Sequence, residues 1–444
     1  MGYGSSGKKP IEFAGKTGHS EFIDTESEQF LSECYIPQEN FDIESFKNLF
    51  YPLNKKDSNI KYVIAIDGGY SPSVAKRFPS SKLVAIKVGA LILNLEELKK
   101  VKEKPFISPE EINNVKDIGK SKFFLPVKNI MNANYDNFTD FVRGTIFNFF
   151  VKENFNLASA LKWLIFREFR SQPENEWNLA THPINPDVKN IKLKRTELNG
   201  YKINDNNDII YITDVLRLHE LIDEDTGAEG IVNYLLSAIE QLIMVSIIKE
   251  IYTKNPSKLS EFLFILDRPL AFFGQTANLH KPMREMISYF LSKNIKLNII
   301  GLEKSGAFVE HAKVLTEENI LRKGVYLLLS NDYIYKNILP KNSKSDYFYG
   351  RTTYYGGKLI FNSNYGNVNV CTIPIKDYES IKNPVPESFV NLDEILTVIE
   401  ELKCNMYENA ILPITLINSA VSISKYPGEI SLQRLVKDIL GEVT

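Results

Sequence analysis

The sequence predicts a fold of the α/β or α+β class, with strands and helices mixed around one central sheet. Short apolar runs with strand character alternate along the 444 residues with longer runs of helical periodicity. No internal repeat breaks this order. The composition, with 43% hydrophobic and 24% charged residues, is typical of a globular protein. Length and composition together allow one large domain with additional segments.

The strand and helix patterns follow one another from residue 62 onward. Strands are predicted at 62–66, at 82–93 with a break at Gly89, at 208–214, at 261–270, within 295–305 and at 324–330. A hairpin is predicted over 351–375, with turns at Gly356–Gly357 and Asn364–Gly366. Helices are predicted at 26–34, twice within 137–169 on either side of Asn154, and at 230–252, 283–293, 392–403 and from 431. Residues 105–128 carry no clear pattern.

The charge balance limits the ways in which this protein binds nucleic acid. Its 53 basic and 55 acidic side chains give a net charge of −2. A free-standing nucleic-acid binder held by bulk charge usually has an excess of basic residues. A local basic groove, or delivery of nucleic acid by a partner, remains compatible with this balance.

Cysteine and histidine usage indicates a reduced, cytoplasmic protein without a zinc site. The three cysteines are far apart and form neither a disulfide framework nor a CxxC pair, and the five histidines form no cluster. The polar N-terminus lacks the apolar core of a signal peptide. The most apolar run, residues 242–248, is far shorter than the ~20 residues of a membrane span. We therefore expect no membrane association.

Two apolar strands are each followed by an aspartate. Asp67 follows the run Tyr62–Ile66 and precedes two glycines, and Pro72 is expected to end regular structure soon after. Asp267 follows "FLFIL". Alone, Asp67 reads as a turn residue, because Asp-Gly is a common turn dipeptide. Two carboxylates at the ends of buried strands need a partner, and a divalent cation would supply it.

A glutamate in an apolar helix supplies a third candidate ligand. Glu240 lies in "LLSAIEQLIMVSIIKEI", and Glu250 lies nearer the end of the same run. Each is either a solvated helix acid or an acid beside a wet cleft. Three carboxylates of this kind suit metal-assisted hydrolysis of a phosphodiester, with one or two cations.

Further residues are candidates for contact with nucleic acid. Lys304 follows a strand and is either a phosphate contact or an exposed loop lysine. Arg351 and Tyr354, at the start of the predicted hairpin, would contact a nucleic-acid backbone or its bases. Packing between strands explains the tyrosine equally well.

These segments, in this order, resemble the NurA nuclease family. "IDGG" at the first strand end, a helix that carries a glutamate, "LDRPL" and "GLEKSG" carry the resemblance from Tyr62 to the C-terminus. It implies an RNase H-like core, a homodimer and degradation of DNA with Mn²⁺ or Mg²⁺. It also implies a partner, the hexameric DNA translocase HerA, in DNA end processing or, for some bacterial pairs, anti-phage defence. Relative to compact archaeal members, an N-terminal arm (1–55) and a helical insertion (about 94–207) extend the nuclease domain (56–444).

The resemblance assigns roles residue by residue. Asp67 and Asp267 match the family's two metal-binding aspartates, and Glu240 matches its helix glutamate, with Glu250 as the alternative. The prediction is therefore a Mn²⁺- or Mg²⁺-dependent DNA nuclease, in which Lys304 contacts the phosphate. An inactive RNase H-like module that binds the translocase or DNA is one alternative. A metal-dependent RNase, or an endonuclease without a motor, is another.

The sequence departs from the family's pattern in two places. Arg268 replaces the usual glycine after the second aspartate. Leu412 and Ala420 stand where the family often has a tyrosine and a histidine that assist at the site.

Overall fold

The computed structural model describes residues 25–34, 49–76, 79–102, 116–185, 187–205, 208–339, 348–404, 409–423 and 430–440. The chain forms two compact units, Met1–Phe46 and Lys47–Thr444. In the first unit the described part is the helix α1, Thr25–Glu33, and the residue after it. Most of the predicted arm thus lies outside the described residues, and its boundary at residue 55 stays a prediction.

The second unit is built on a nine-stranded mixed sheet, which confirms the predicted central sheet. In chain order the strands are β1 (Phe50–Pro52), β2 (Tyr62–Lys76), β3 (Ser81–Asn94), β4 (Lys116–Lys128), β5 (Glu176–Thr181), β6 (Lys189–Lys194), β7 (Lys202–Asp205), β8 (Asp208–Tyr211), β9 (Phe262–Leu266), β10 (Asn298–Glu303), β11 (Val325–Leu328), β12 (Gly356–Asn362) and β13 (Val368–Pro374). The sheet order is β1-β11-β12-β13-β10-β9-β2-β3-β4. Strand β9 runs parallel to β2 and β10, and the other neighbours are antiparallel. β5–β6 and β7–β8 are separate pairs.

Helices cover both faces of this sheet. They are α2 (Leu95–Lys102), α3 (Phe138–Lys152), α4 (Leu157–Ile165), α5 (Val232–Lys254), α6 (His280–Ser292), α7 (Ala307–Glu317), α8 (Asn331–Asn337), α9 (Leu392–Glu401), α10 (Leu412–Val421) and α11 (Ile430–Leu440). One core joins α3, α4, α5 and α6 to one face, and a second core joins α2, α9 and α10 to the other. Successive strand residues therefore enter different cores.

Helix α5 lies at the centre of the first core. It is long and apolar enough to cross a membrane, but 78% of its most apolar window is buried inside the protein. Helices α3 and α4 and the sheet supply that cover. Helix α5 is therefore a core helix, as its apolar character on all sides predicts.

Strand β2 is longer than the sequence predicts. It runs through Asp67 and Pro72 to Lys76, so the expectation that Pro72 ends regular structure was wrong. Only residues 62–66 of β2 pair with β9, and beyond Ile66 the strand pairs with β3 alone. Among the described residues, one edge of β2 is then without a strand partner, and proline is tolerated on such an edge.

Several other predicted boundaries also need correction. The segment 94–207 is not helical throughout, because its strand β4 is the outer strand of the central sheet, while α3 and α4 cover that sheet. Its status as an insertion stays a prediction. Strand β3 is continuous through Gly89, and Gly356–Gly357 lie within β12 instead of a turn. The predicted strand 208–214 ends at Tyr211. The RNase H-like topology stays a prediction.

Candidate active site

Asp67 and Asp267 come together at the end of the parallel pair β2–β9. The last register pair is Ile66 with Leu266, and each aspartate is the next residue of its chain. Alternation along the strands gives them the same face as Ala65 and Ile265, which belong to the core under α9 and α10. The sheet thus places two carboxylates side by side, although they are two hundred residues apart in sequence.

Asp67 is buried, with 7% of its surface exposed. Burial and, next, the charge of Asp267 raise its pKa to about 6, against the opposing effects of the Gly68 backbone N–H, Lys304 and Arg268. A carboxylate with this pKa exchanges its proton just below neutral pH. Such a shift comes from burial beside a like charge, and it marks functional sites more often than ordinary surfaces.

Asp267 has one neutralised oxygen and one oxygen without a partner. Its Oδ2 forms an ion pair with Nζ of Lys304, a side chain that is 57% exposed and follows strand β10. Its Oδ1 is buried and accepts no hydrogen bond from the described residues. A buried acceptor left open is costly, so it calls for a ligand.

Asn418 of helix α10 joins the two aspartates to the lysine. In the amide orientation that satisfies both ends, its nitrogen donates to Oδ2 of Asp67 and its oxygen accepts from Nζ of Lys304 at 2.7 Å. The opposite orientation would bring the nitrogen 3.4 Å from Oδ2 of Asp267. Amide orientation is assigned from the hydrogen-bond network, and the first choice leaves no donor facing the ammonium.

Glycines on β2 and β3 admit helix α10 to this position. A Cβ atom on Gly69 would lie 3.2 Å from the carbonyl oxygen of Val421. A Cβ atom on Gly89 would lie 3.0 Å from Cγ1 of Val421 and 3.2 Å from Cδ1 of Ile417. These contacts assign Gly69 and Gly89 to helix packing.

Glu240 lies on the opposite face of the sheet, in a closed pair with Arg268. Its side chain is fully buried. Arg268 donates to both carboxylate oxygens, from Nη2 to Oε1 at 2.7 Å and from Nε to Oε2. Burial raises the pKa of Glu240, and the guanidinium opposes that rise. Gly68 lies above the pair, because a Cβ there would meet Oε1 of Glu240 at 3.1 Å and Cδ1 of Leu236 at 2.6 Å.

Glu250 does not belong to the site. It lies ten residues beyond Glu240 on α5, roughly 15 Å along the helix axis. Its side chain is 53% exposed and pairs with Lys254 at 3.2 Å. The alternative assignment of Glu250 is therefore wrong.

The predicted nucleic-acid contact at Tyr354 is not supported. Tyr354 is 5% exposed, its hydroxyl lies 3.3 Å from that of Tyr349, and burial raises its pKa. Its ring also faces the buried ammonium of Lys358 at 4.8 Å. Arg351 is exposed, and its carbonyl accepts from Arg284 at 2.8 Å. Tyr354 is thus a core residue.

The fit to a divalent cation is good for the two aspartates and poor for the glutamate. Oδ1 of Asp267 is open, and Asp67 and Asp267 are close enough to shift a pKa. Both oxygens of Glu240 are bonded to Arg268, so it adds no free ligand. Within the described ranges, no group of three or more His, Cys, Asp or Glu side chains is arranged around a cation. The predicted three-carboxylate set therefore lies on two faces of the sheet, although the charges of Asp67 and Asp267 still raise the pKa of Glu240. The role of Glu240 as a metal ligand stays a prediction.

Two site residues were missed as participants. Asn418 is a polar residue within the apolar run "LPITLINSA", and that isolation is the signal that would have found it. Arg268 was noted only as a replacement for glycine, although an arginine beside a buried acid indicates a pair. Both residues contact the acids directly.

The chain is similar to solved crystal structures of NurA. One aligns over 96% of this chain and 97% of that chain, at 12% sequence identity and a TM-score of 0.30. NurA with manganese, and NurA bound to dAMP and manganese, align over 95% and 94% of this chain and 98% of each of theirs. Their identities are 14% and 12%, both with TM-scores of 0.31. No protein-family model and no curated protein matches the chain.

Proposed function

We propose that this protein is a metal-dependent DNA nuclease that hydrolyses phosphodiester bonds at Asp67 and Asp267. The observation that carries the proposal is the pair of buried aspartates with one carboxylate oxygen left without a partner. A divalent cation such as Mn²⁺ or Mg²⁺ prefers carboxylate oxygens and would offset the cost of burying them. The strand register brings these two acids together, independently of any motif.

The residues divide the work of hydrolysis. Asp67 and Asp267 would hold the cation, and Asn418 fixes the Asp67 carboxylate through its amide. When bound, a cation activates water and stabilises the leaving oxygen. Lys304 contacts the phosphate, because its long and half-exposed side chain is free to swing from Asp267 toward a substrate. Glu240 joins as a ligand only where Arg268 has released it.

A second candidate function is a catalytically inactive module that binds DNA or a partner. The observation that favours it is the compensation already present, since Arg268 neutralises Glu240 and Lys304 neutralises one oxygen of Asp267. Acids that are permanently paired hold a fold together without binding a cation. The two candidates differ in whether the open Asp267 oxygen takes a metal.

The proposal includes a cellular setting. We propose a cytoplasmic homodimer that acts with a HerA-type hexameric translocase in DNA end processing or anti-phage defence. The net charge of −2 supports a partner that delivers DNA, because bulk charge alone would not gather it. Co-purification with a HerA-type ATPase, and the mass of the complex in solution, test this part.

Incubation with linear DNA tests the reaction itself. We expect wild-type protein to degrade the DNA with Mn²⁺ and not with EDTA. Asp67→Ala should be inactive under both conditions. Glu250→Gln, an exposed acid outside the site, is the matched control and should keep it. Equal background from wild type and Asp67→Ala, with and without Mn²⁺, would overturn the nuclease. An inactive wild type that still binds DNA would favour the second candidate.

A further inference from the structure

The outer strands of the sheet carry three lysines on the face of the aspartates. In the register of β2, β3 and β4, Asp67 pairs with Gly89, and Gly89 pairs with Lys120. In the next row, Gly69 pairs with Lys87, and Lys87 pairs with Lys122. Residues directly opposite each other in a sheet project from the same face. We call Lys87, Lys120 and Lys122 the edge lysines.

The edge lysines repel one another. Burial and, next, the charges of Lys120 and Lys122 lower the pKa of Lys87. Lys120 and Lys122 are exposed, and in the part of the chain that the structure describes no carboxylate forms an ion pair with any of the three. Like charges held together without counter-charges destabilise a fold, so this arrangement favours an anionic ligand.

The surroundings of the edge lysines suit a polyanion. They line a hollow of about 540 Å³ together with Lys152 and Glu153. Because α3, which ends at Lys152, covers the other face of the sheet, this hollow extends around the outer strand β4. The Glu153 carboxylate is already engaged, because it accepts from the Ser121 hydroxyl and from the backbone N–H of Phe155. One row beyond Lys122, Phe124 pairs with Ala85 and leaves 45% of its surface exposed.

We propose that the edge lysines and Phe124 form a binding site for the sugar-phosphate backbone and a base of a DNA single strand. Phosphates supply the missing negative charges, and an exposed aromatic ring offers a stacking surface. The site rests on the proposed function, since it holds the DNA whose next phosphates reach the aspartates. Lys120 lies two strands from Asp67, roughly 10 Å between backbones at the usual strand spacing. Helix α10 packs on Gly69 and Gly89 between the two positions, so the DNA strand would pass around the end of this helix at Val421.

Binding of a fluorescent twenty-nucleotide oligo(dT) in EDTA tests the site without cleavage. We expect Lys120→Gln/Lys122→Gln to weaken binding roughly tenfold at moderate salt and to reduce the slope of log K against log salt by about 1.4. Phe124→Ala should weaken binding roughly fivefold without changing the slope. The matched control is Lys254→Gln/Lys313→Gln, which removes the same charge from lysines paired within their own helices.

The outcomes separate this site from the nuclease reaction. Unchanged affinity and slope in Lys120→Gln/Lys122→Gln would overturn the site, as would an equal loss in the control variant. Binding of polyglutamate in place of the oligonucleotide would overturn it in favour of an acidic protein. A wild type that binds through the edge lysines but never cleaves with Mn²⁺ would support the site while the proposed function fails. A wild type that cleaves, with the lysine variant binding normally, would do the reverse.

Discussion

The two faces of the sheet near Asp67 differ in how fully their buried acids are paired. On the α10 face, Asp67 and Asp267 lie together with a half-exposed lysine and an open carboxylate oxygen. On the α5 face, Glu240 is fully buried, and Arg268 holds both of its oxygens. Consecutive residues make this division, because Asp267 points to one face and Arg268 to the other.

This difference determines which buried acid can exchange its cationic partner at low cost. Removing the counter-charge of a fully buried glutamate leaves the glutamate charge without a partner in the low-dielectric interior, which is costly. Replacing an ammonium that already reaches solvent costs far less, because exposed ion pairs contribute little. The α10 face is therefore suited to exchange of ions, and the α5 face is suited to holding the strand end in place.

The largest expected effect on the free energy of unfolding comes from breaking the ion pair between Arg268 and Glu240. Arg268→Met leaves Glu240 buried without its partner and should lower the free energy of unfolding by about 4 kcal/mol. Adding Glu240→Gln removes the buried charge and should restore most of that loss. Urea denaturation in EDTA measures both, with Lys254→Met, which breaks the exposed Glu250 pair, as the control at under about 1 kcal/mol. A double variant as unstable as Arg268→Met would contradict a charge-pair role.

The next effect concerns the acidic pair and carries a pH signature. The pKa of Asp67 is raised from 3.8 to about 6 in the folded protein, so the folded state holds its proton more tightly than the unfolded chain. Wild-type stability should therefore fall as pH rises through this window, with the cost fully present above it. Asp67→Asn removes that cost and should raise the free energy of unfolding by up to about 3 kcal/mol at pH 7.5.

The same comparison at low pH is the check on this prediction. At pH 4 the folded wild type holds the Asp67 proton, and the unfolded chain, close to its own pKa of 3.8, has regained much of it, so the advantage of Asp67→Asn should largely vanish. Urea denaturation in EDTA at pH 4 and pH 7.5 measures it. An advantage that is equal at the two values would point to packing or hydrogen bonding, and not to charge, as its cause.

Cation binding should show the same titration. Protons compete with Mn²⁺ for Asp67, so affinity should be level above pH 7 and fall roughly tenfold for each unit below about 6. Calorimetric titration of wild type from pH 5 to pH 8 measures this dependence. Circular dichroism at each pH establishes that the protein is folded. Affinity that does not change across this range would exclude Asp67 as a ligand.

The sequence predicts which acids lie in buried elements better than it predicts how these acids are arranged relative to one another. Asp67, Asp267 and the helix with Glu240 are readable because apolar runs mark buried elements and a single acid in them stands out. The face on which each acid projects depends on which strand and helix lie across from it, and one sequence does not reveal that. For this reason Glu240 was grouped with two acids that lie on the other side of the sheet.

The missed elements have a related cause. Strand β4, with sequence "KDIGKSKFFLPVK", lacks an apolar run at its start, because an outer strand with exposed lysines need not be hydrophobic. The role of Asn418 in helix α10 depends on the two strand ends that lie across from the helix, and these are distant from it in sequence. Tyr354 was assigned to nucleic acid because exposure of an aromatic residue is decided by neighbours distant in sequence.

The smallest expected effect separates the two possible roles of Lys304. Its ammonium forms an ion pair with Oδ2 of Asp267 and donates to the amide oxygen of Asn418, so a cation on the open Oδ1 binds against this positive charge. Since the side chain is half exposed, the pair contributes about 1 kcal/mol, and Lys304→Met should raise Mn²⁺ affinity roughly fivefold. Cleavage should nevertheless slow, because the phosphate contact is lost.

Calorimetry and DNA degradation on the same preparation compare Mn²⁺ affinity with cleavage rate, with Lys313→Met as control. Slower cleavage with unchanged affinity would leave Lys304 a phosphate contact that does not hold the cation's place. Tighter Mn²⁺ binding with unchanged cleavage would make it a counter-ion for Asp267 alone.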